Sequence, residues 1–222
     1  MSHLASAALT TMKHRRLILI VVAVLTLSES LYTQSRFRLQ VAAGPSFNTS
    51  TAGVLSNWAD GWTVGGGLSR RVASSTELAL NISYSHYPFR GKNLQLAFPA
   101  VAGLRWNVSG KPTSTIEASI VARVSLSATF VRPFLSLTTG LYRFDIGEIS
   151  VATWFDPNPQ NASRSTYSGS AVSTTQGFAA LGAGFSIPLD SAIRVILEGR
   201  FAQTFDSKEN FVPLLATFQF SL

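Results

Sequence analysis

The sequence predicts an all-β fold: a closed, antiparallel, up-and-down transmembrane β-barrel of eight strands, with ten strands as the alternative. Three observations predict it. From residue 36 onward, apolar side chains recur at every second position, which is the period of a strand with one apolar face. The charged residues of these segments fall on the opposite face. No apolar run is long enough for a spanning helix, and strands in hydrocarbon must close so that no backbone edge is unpaired.

The N-terminal segment has the three parts of a secretory signal peptide. Residues 12–16 (MKHRR) are basic and residues 17–27 (LILIVVAVLTL) are apolar. The apolar run is too short to cross a bilayer as a helix, which needs about 20 residues. Small residues follow, and we expect cleavage near Ser30 or Ser35. A buried N-terminal helix and an uncleaved anchor are the alternatives.

We therefore expect residues 1–35 to be removed, with Met12 as an alternative start, and residues 36–222 to form one barrel domain. The absence of cysteine from all 222 residues excludes a disulfide scaffold and a thiolate metal site. The net charge of +7 comes from basic residues that form no clustered patch of the kind nucleic-acid binding needs.

Nine segments alternate between apolar and polar residues. Single-chain bacterial barrels have an even number of strands, so eight is the simplest closure. Either 93–107 or 115–128 would then be partly loop, whereas ten strands would require another from 148–155. The apolar series are Phe37 to Ala43, a glycine-rich strand at 61–68, Leu78 to Tyr84, Leu94 to Trp106, Ile116 to Leu126, Leu135 to Leu141, Leu181 to Ile187, Val195 to Phe201 and Leu214 to Leu222.

Alternation alone does not separate a membrane barrel from a secreted, lipocalin-like lipid binder, whose apolar face points inward. Three features favour the membrane. The charged face is rich in small residues, which suits a crowded lumen. Short and long connections alternate, and aromatic residues lie near strand ends, as in interfacial girdles. Those aromatics are Trp58, Trp62, Tyr84, Tyr87, Trp106, Tyr142 and Phe144.

The alternation of connections predicts an orientation. The turns near 70–75, 108–113 and 188–191 are short and would be periplasmic. The connections at 48–60, 88–92, 145–175 and 206–211 would be extracellular.

In its C-terminal half the sequence resembles the small outer-membrane β-barrel proteins of Gram-negative bacteria, the OmpA/OmpX-like group that includes PorT-type barrels. The resemblance rests on RPFLSLTTGLYRFD (132–145), GFAALGAGFSIPL (177–189), IRVILEGRF (193–201) and FVPLLATFQFSL (211–222). It implies localisation in the outer membrane, eight strands and a final strand read by the outer-membrane assembly machinery. Phe218, Phe220 and Leu222 would form that assembly signal, with Leu222 standing where the family usually has Phe.

The charged residues of the polar face predict a lumen network. Eight charged residues lie on the polar face of their strands: Arg38, Glu77, Arg105, Glu117, Arg123, Arg194, Glu198 and Arg200. An eight-stranded barrel is just wide enough for its side chains to fill, so paired charges would plug the lumen. A narrow channel for small solutes is the alternative.

His86 is the one histidine that remains after signal removal, and it raises the possibility of a lipid-modifying enzyme. Barrel enzymes that deacylate lipopolysaccharide carry Ser two positions after their His, whereas this chain has Pro88. We therefore expect no enzyme activity and no catalytic residue, and interpret His86 as an interfacial side chain.

The segment 145–175 is the best candidate for contact with the outside. Asp145, Glu148 and Asp156 match no calcium loop, and the Ser/Thr-rich composition predicts disorder. We expect no cofactor and no metal. The expected partners are outer-membrane lipid, lipopolysaccharide and the assembly machinery, with the protein as a monomer that has a structural or surface-interaction role.

Overall fold

The computed structural model describes residues 37–50, 54–91, 104–127, 130–155 and 164–222. The expected signal peptide and most of the segment 93–107 lie outside these residues. Eight of the strands form a closed barrel. They are β1 (Phe37–Asn48), β2 (Gly61–Arg71), β3 (Thr76–Tyr87), β5 (Thr113–Ser125), β6 (Arg132–Ile146), β9 (Val172–Pro188), β10 (Ile193–Thr204) and β11 (Asn210–Ser221).

The barrel is an antiparallel meander that closes between its first and last strands. Val41 of β1 lies opposite Gly66 of β2 on one side and Phe218 of β11 on the other. The amide of Leu222 also donates to the carbonyl of Phe37 at 3.0 Å, so both ends of the barrel chain lie at one rim. The prediction of an all-β, eight-stranded, closed barrel is confirmed.

Three further strands form a separate sheet in the order β4–β7–β8. They are β4 (Leu104–Gly110), β7 (Ile149–Phe155) and β8 (Arg164–Gly169). β3 pairs directly with β5, with Tyr84 opposite Ile116, so β4 is left outside the barrel. The stretch 148–155 contains the additional strand considered for a ten-stranded barrel, but that strand pairs with β4 and β8 instead.

One prediction about the connections was wrong. At the short-turn end, residues 72–75 connect β2 to β3 and residues 189–192 connect β9 to β10, and β5 ends and β6 begins at this same end. The segment 108–113 lies at the opposite end, where the amide of Lys111 donates to the carbonyl of Glu148 at 2.8 Å. The reason is again the β3–β5 pairing, which leaves the described residues between these two strands at the loop end.

The predicted disorder of 145–175 was also wrong for the described residues of that segment. β6 continues to Ile146, β7 and β8 pair with each other, and β9 begins at Val172. Residues 156–163, including Asp156, lie outside the described part of the chain.

The outer surface of the barrel is apolar and the inner surface is polar. On β3, Leu80 and Ile82 point outward and are 62% and 66% exposed, whereas Ala79 points inward and is 2% exposed. The same alternation runs around all eight strands, with outward Leu, Val, Ile and Phe. A belt of this kind is stable only against hydrocarbon, so the chain is a transmembrane barrel and the lipocalin-like alternative is wrong.

Among the described residues the one helical element is a 3-10 turn, Val54–Asn57. No helix in the described ranges is sufficiently long and apolar to cross a membrane.

Candidate functional site

Strand alternation brings most of the predicted lumen charges together inside the barrel. Seven of the eight are buried or half-buried, and ion pairs connect them all. They come from β1 (Arg38), β3 (Glu77), β5 (Glu117 and Arg123) and β10 (Arg194, Glu198 and Arg200). We call Glu77, Glu117, Arg123, Glu198 and Arg200 the ionic layer.

Glu198 is the centre of the ionic layer. Its side chain is fully buried, and it accepts hydrogen bonds from two guanidinium groups. Arg200 donates from Nε at 2.7 Å and from Nη2 at 3.0 Å, and Arg123 donates from Nη2 at 3.1 Å. The hydroxyl of Ser136 on β6 adds a bond of 2.7 Å. Both carboxylate oxygens of Glu198 therefore accept hydrogen bonds from buried donors, which offsets the cost of burying the charge.

Glu77 lies across the lumen from Glu198 and binds three arginines. Arg38 donates to it at 3.1 Å and Arg123 at 3.3 Å, and Arg194 lies at 3.5 Å. The amide of Gln219 donates at 2.7 Å. Because Arg123 contacts both Glu77 on β3 and Glu198 on β10, its guanidinium spans the lumen.

Glu117 connects the ionic layer to an aromatic side chain, Tyr142, nearer the loop end. Its carboxylate accepts hydrogen bonds from Ser119 at 2.5 Å, Ser83 at 3.3 Å and the hydroxyl of Tyr142 at 3.0 Å. Arg200 approaches it to 4.0 Å. Glu117 is thus held mainly by hydroxyl donors.

Neutral amides, which were not among the residues predicted from the sequence, complete the network. Gln40 of β1 contacts Asn81 of β3 and accepts from Gln219 of β11 at 3.2 Å. Gln219 also donates to Ser69 at 3.1 Å. Gln40 and Gln219 lie on the same inward face of their strands as the charged residues, and this position could have identified them from the sequence.

Aromatic side chains fill the lumen at the loop end. Tyr142 and Phe178 have ring centroids 4.2 Å apart, and Phe211 lies 5.6 Å from Tyr87. The hydroxyl of Tyr87 bonds Ser46 at 2.8 Å. This group, which we call the aromatic layer, comprises Leu55, Trp58, Tyr87, Tyr142, Phe144, Phe178 and Phe211.

The aromatic layer corrects the predicted interfacial girdle. Trp58, Tyr87, Tyr142 and Phe144 are buried inside the barrel rather than facing lipid. On β6 the outward series runs through Leu135, Leu137 and Leu141, so positions 142 and 144 have inward parity.

Trp62 and Tyr84 do lie on the outer surface of the barrel, with ring centroids 5.6 Å apart. His86 stacks on Trp62 at 5.7 Å, so it belongs to this outward cluster of rings.

Arg105 was wrongly placed in the lumen. It lies on β4, opposite Trp154 of β7, and its side chain is exposed outside the barrel. Leu104 and Trp106 flank it, so its segment alternates like a barrel strand. The alternation does not reveal which sheet the strand joins.

The predicted assembly signal lies on the outer surface of β11. Phe218, Phe220 and Leu222 all point away from the lumen and are exposed. They alternate with inward Gln219, which belongs to the polar network.

Two acidic side chains at the loop end pair with residues of the same end. Asp145 accepts from Ser173 at 2.7 Å and lies 3.5 Å from Arg143. Glu148 pairs with Lys111 at 3.0 Å. Within the described ranges, no three His, Cys, Asp or Glu residues are grouped so that they could hold a metal ion.

The space left between the ionic and aromatic layers is small. A cavity of about 30 Å³ lies among Ser46, Asn81, Glu117, Tyr142 and Arg200. One water needs roughly 10–15 Å³, so this cavity holds at most a few waters and no solute. Its lining is polar enough to bind them.

The link between the two layers can be tested with Tyr142→Phe. Loss of the hydroxyl removes a donor to the buried carboxylate of Glu117 and leaves the ring in place. We expect the free energy of unfolding to fall by about 1.5–3 kcal/mol, the range for a hydrogen bond to a charged group. Urea unfolding in phospholipid vesicles measures it. The matched control is Tyr84→Phe on the outer surface, and equal effects of the two changes would contradict a bond to Glu117.

Comparisons with known proteins find likenesses to solved structures at low sequence identity. No protein-family model matches the chain, and no curated protein matches it. Among solved structures, Neisserial surface protein A is 13% identical with a TM-score of 0.47, covering 84% of this chain and 97% of its own. The N-terminal β-barrel domain of Pseudomonas aeruginosa OprF is 14% identical with a TM-score of 0.41, over 84% and 100%.

A major outer membrane protein of Thermus thermophilus is 11% identical with a TM-score of 0.46, covering 84% of this chain and 99% of its own. The assignment of this chain as an outer-membrane-type barrel rests on its own strand pairings and its outward apolar belt.

Proposed function

We propose that the protein is a resident of the bacterial outer membrane with a structural and surface-interaction role and a lumen that does not conduct. One observation carries the proposal, namely the filling of the lumen by two stacked layers of side chains. The aromatic layer occupies the loop end and the ionic layer occupies the middle. A pore would need a continuous path of water, and the cavity between the layers is only about 30 Å³.

The ionic layer supports a plug rather than a selectivity filter. Arg123 is 4% exposed and Glu198 is 3% exposed, so neither side chain faces a water-filled channel. At Gly182 of β9, an added Cβ would clash with Oγ of Ser136 and lie 3.0 Å from Cγ of Arg200, so these two side chains occupy the space in front of Gly182. Displacing one of these charges would leave its partners buried without compensation.

The sheet β4–β7–β8 supports the surface role. All the described side chains of β8 are exposed, and Tyr167 is 70% exposed. This sheet lies at the loop end, which we assign to the cell exterior because the short turns and both ends of the barrel chain lie at the other rim. A large exposed aromatic side chain on such a sheet suits contact with lipopolysaccharide or another surface ligand.

The outward residues of β11 fit a role in assembly. Phe218, Phe220 and Leu222 lie in a row on the lipid-facing side of the last strand. We propose that the outer-membrane assembly machinery reads this row and that the barrel, once closed, is a monomer surrounded by lipid. No cofactor or catalytic residue enters this role.

Solute flux tests the closed lumen. The chain is reconstituted into phospholipid vesicles, and the amount of inserted barrel is measured from the band that shifts on heating in a gel. We expect the influx of a small sugar and of chloride to equal that of protein-free vesicles.

Steady, anion-selective single-channel steps that disappear on Arg123→Ala would contradict the proposal, because they would place a conducting path at the ionic layer. Arg143→Ala, an exposed arginine on the outer surface, is the control for this change.

A further inference from the structure

Four arginines surround the short-turn mouth of the barrel. Arg71 ends β2 and Arg132 begins β6, both next to short turns. Arg194 is the first inward residue of β10, and Arg38 is the first inward residue of β1. All four have inward parity and are half-buried. We call them the vestibule ring.

The ring concentrates the positive charge of the interior. The ionic layer has two arginines and three acids, one of which, Glu77, also faces the ring. At the mouth, Glu77 is the acid shared by Arg38 and Arg194, at 3.1 and 3.5 Å. Two guanidinium groups of the ring therefore share one carboxylate.

A third arginine of the ring lies close to the same carboxylate. Arg71 of β2 is directly opposite Glu77 of β3 in the strand register, and both side chains have inward parity. Glu77 is already engaged by Arg123 of the ionic layer. The acid in the adjacent turn, Asp190, accepts hydrogen bonds from the amides of Ala192 and Ile193 at 2.6 and 2.7 Å.

Two arginines of the vestibule ring are partly exposed, whereas the arginine beneath them is buried. The side chains of Arg38 and Arg194 are 21% and 16% exposed, so an ion from solution can reach them. Arg123 lies beneath with a side chain only 5% exposed, and it closes the way inward. A small anion that approaches the ring from solution would therefore have Arg123 on its inner side.

We propose that the vestibule ring binds a phosphate-bearing anion. Planar guanidinium groups form paired, charge-assisted hydrogen bonds with phosphate oxygens, and several converging on one point match a multiply charged group better than a single carboxylate. The phosphate can belong to the headgroup of an anionic phospholipid in the adjacent leaflet or to a soluble phosphate compound.

The soluble arm uses pyrophosphate as the probe, with the intact chain folded in an uncharged detergent. Binding is followed by the rise of the unfolding temperature at constant ionic strength. We expect a saturable rise. In the double variant Arg71→Gln/Arg132→Gln the affinity should fall by about tenfold or more, because charge-assisted hydrogen bonds are lost. Arg143→Gln, on the outer surface at the other end, should leave the affinity unchanged.

The lipid arm compares nanodiscs of phosphatidylcholine with and without phosphatidylglycerol. A stabilisation by phosphatidylglycerol that is lost in the double variant supports a headgroup as the source, and a response to pyrophosphate supports a soluble compound. Arg71→Lys/Arg132→Lys keeps the charges, so a partial loss of affinity in this variant supports paired guanidinium contacts. The proposal is overturned if neither probe stabilises the protein, or if the unaltered protein and the Arg71→Gln/Arg132→Gln variant respond equally to both probes.

Discussion

Glu198→Gln is expected to lower the free energy of unfolding by about 3–5 kcal/mol, the range for breaking a buried ion pair by removing one partner. Glutamine keeps the size of the side chain, so the change isolates the charge. Arg123 and Arg200 would each lose a carboxylate partner while staying buried. Ser136 would still have an amide oxygen as an acceptor.

The measurement is urea unfolding in phospholipid vesicles, read from the heat-dependent gel shift and from tryptophan fluorescence. The matched control is Glu148→Gln, which breaks an ion pair of similar length, 3.0 Å to Lys111, at the exposed loop rim. That change should cost at most about 1 kcal/mol, because solvent screens the pair. If the two variants lose the same stability, the ionic layer does not hold the barrel together.

Ile82→Arg is expected to cost about 2–4 kcal/mol, the range for a cation placed on the lipid face near the bilayer midplane. Ile82 lies midway along β3, opposite Gly66 and Ala118, and points outward. Tyr167→Arg on β8 is the matched control, because Tyr167 is 70% exposed and Ile82 is 66% exposed.

Comparing the two variants distinguishes a side chain that faces lipid from one that faces water, because the two positions are similarly exposed in the structure. In a membrane barrel, Ile82→Arg should impair folding into vesicles whereas Tyr167→Arg should be almost neutral. Both stabilities come from the same urea titration. Equal and small effects would mean that the outer surface of β3 faces water, which would contradict a transmembrane barrel.

The sequence predicted the barrel because its dominant signal is local. Each strand carries its own alternation, so the inward parity of Glu77, Glu117, Arg123, Glu198 and Arg200 could be read without knowing which strands pair. The ion pairs among them follow from closure, since charges on the inner face of a narrow barrel must meet.

The errors arose where pairing between distant segments decides the outcome. Arg105 sits in a strand that alternates like the others, and only the direct pairing of β3 with β5 excludes it from the barrel. Tyr142 and Phe144 were assigned to a girdle by their position near a strand end. Their parity, opposite to that of Leu137 and Leu141, was the available signal that they face inward.

The central claim is that the apolar face of each strand contacts lipid while the polar face fills a closed lumen. The most direct test is a scan of spin labels along β3 in phospholipid vesicles. The chain contains no cysteine, so single cysteines at positions 79 to 83 can be labelled without removing others. Collision of each label with dissolved oxygen reports contact with lipid, and collision with a water-soluble nickel complex reports contact with water.

We expect oxygen collisions to peak at positions 80 and 82, with little collision with nickel at any of the five positions, because the inward side chains are packed in the lumen. Oxygen maxima at 79, 81 and 83, or strong nickel collision at 80 and 82, would contradict the account, since the apolar face would then not be the one in the membrane.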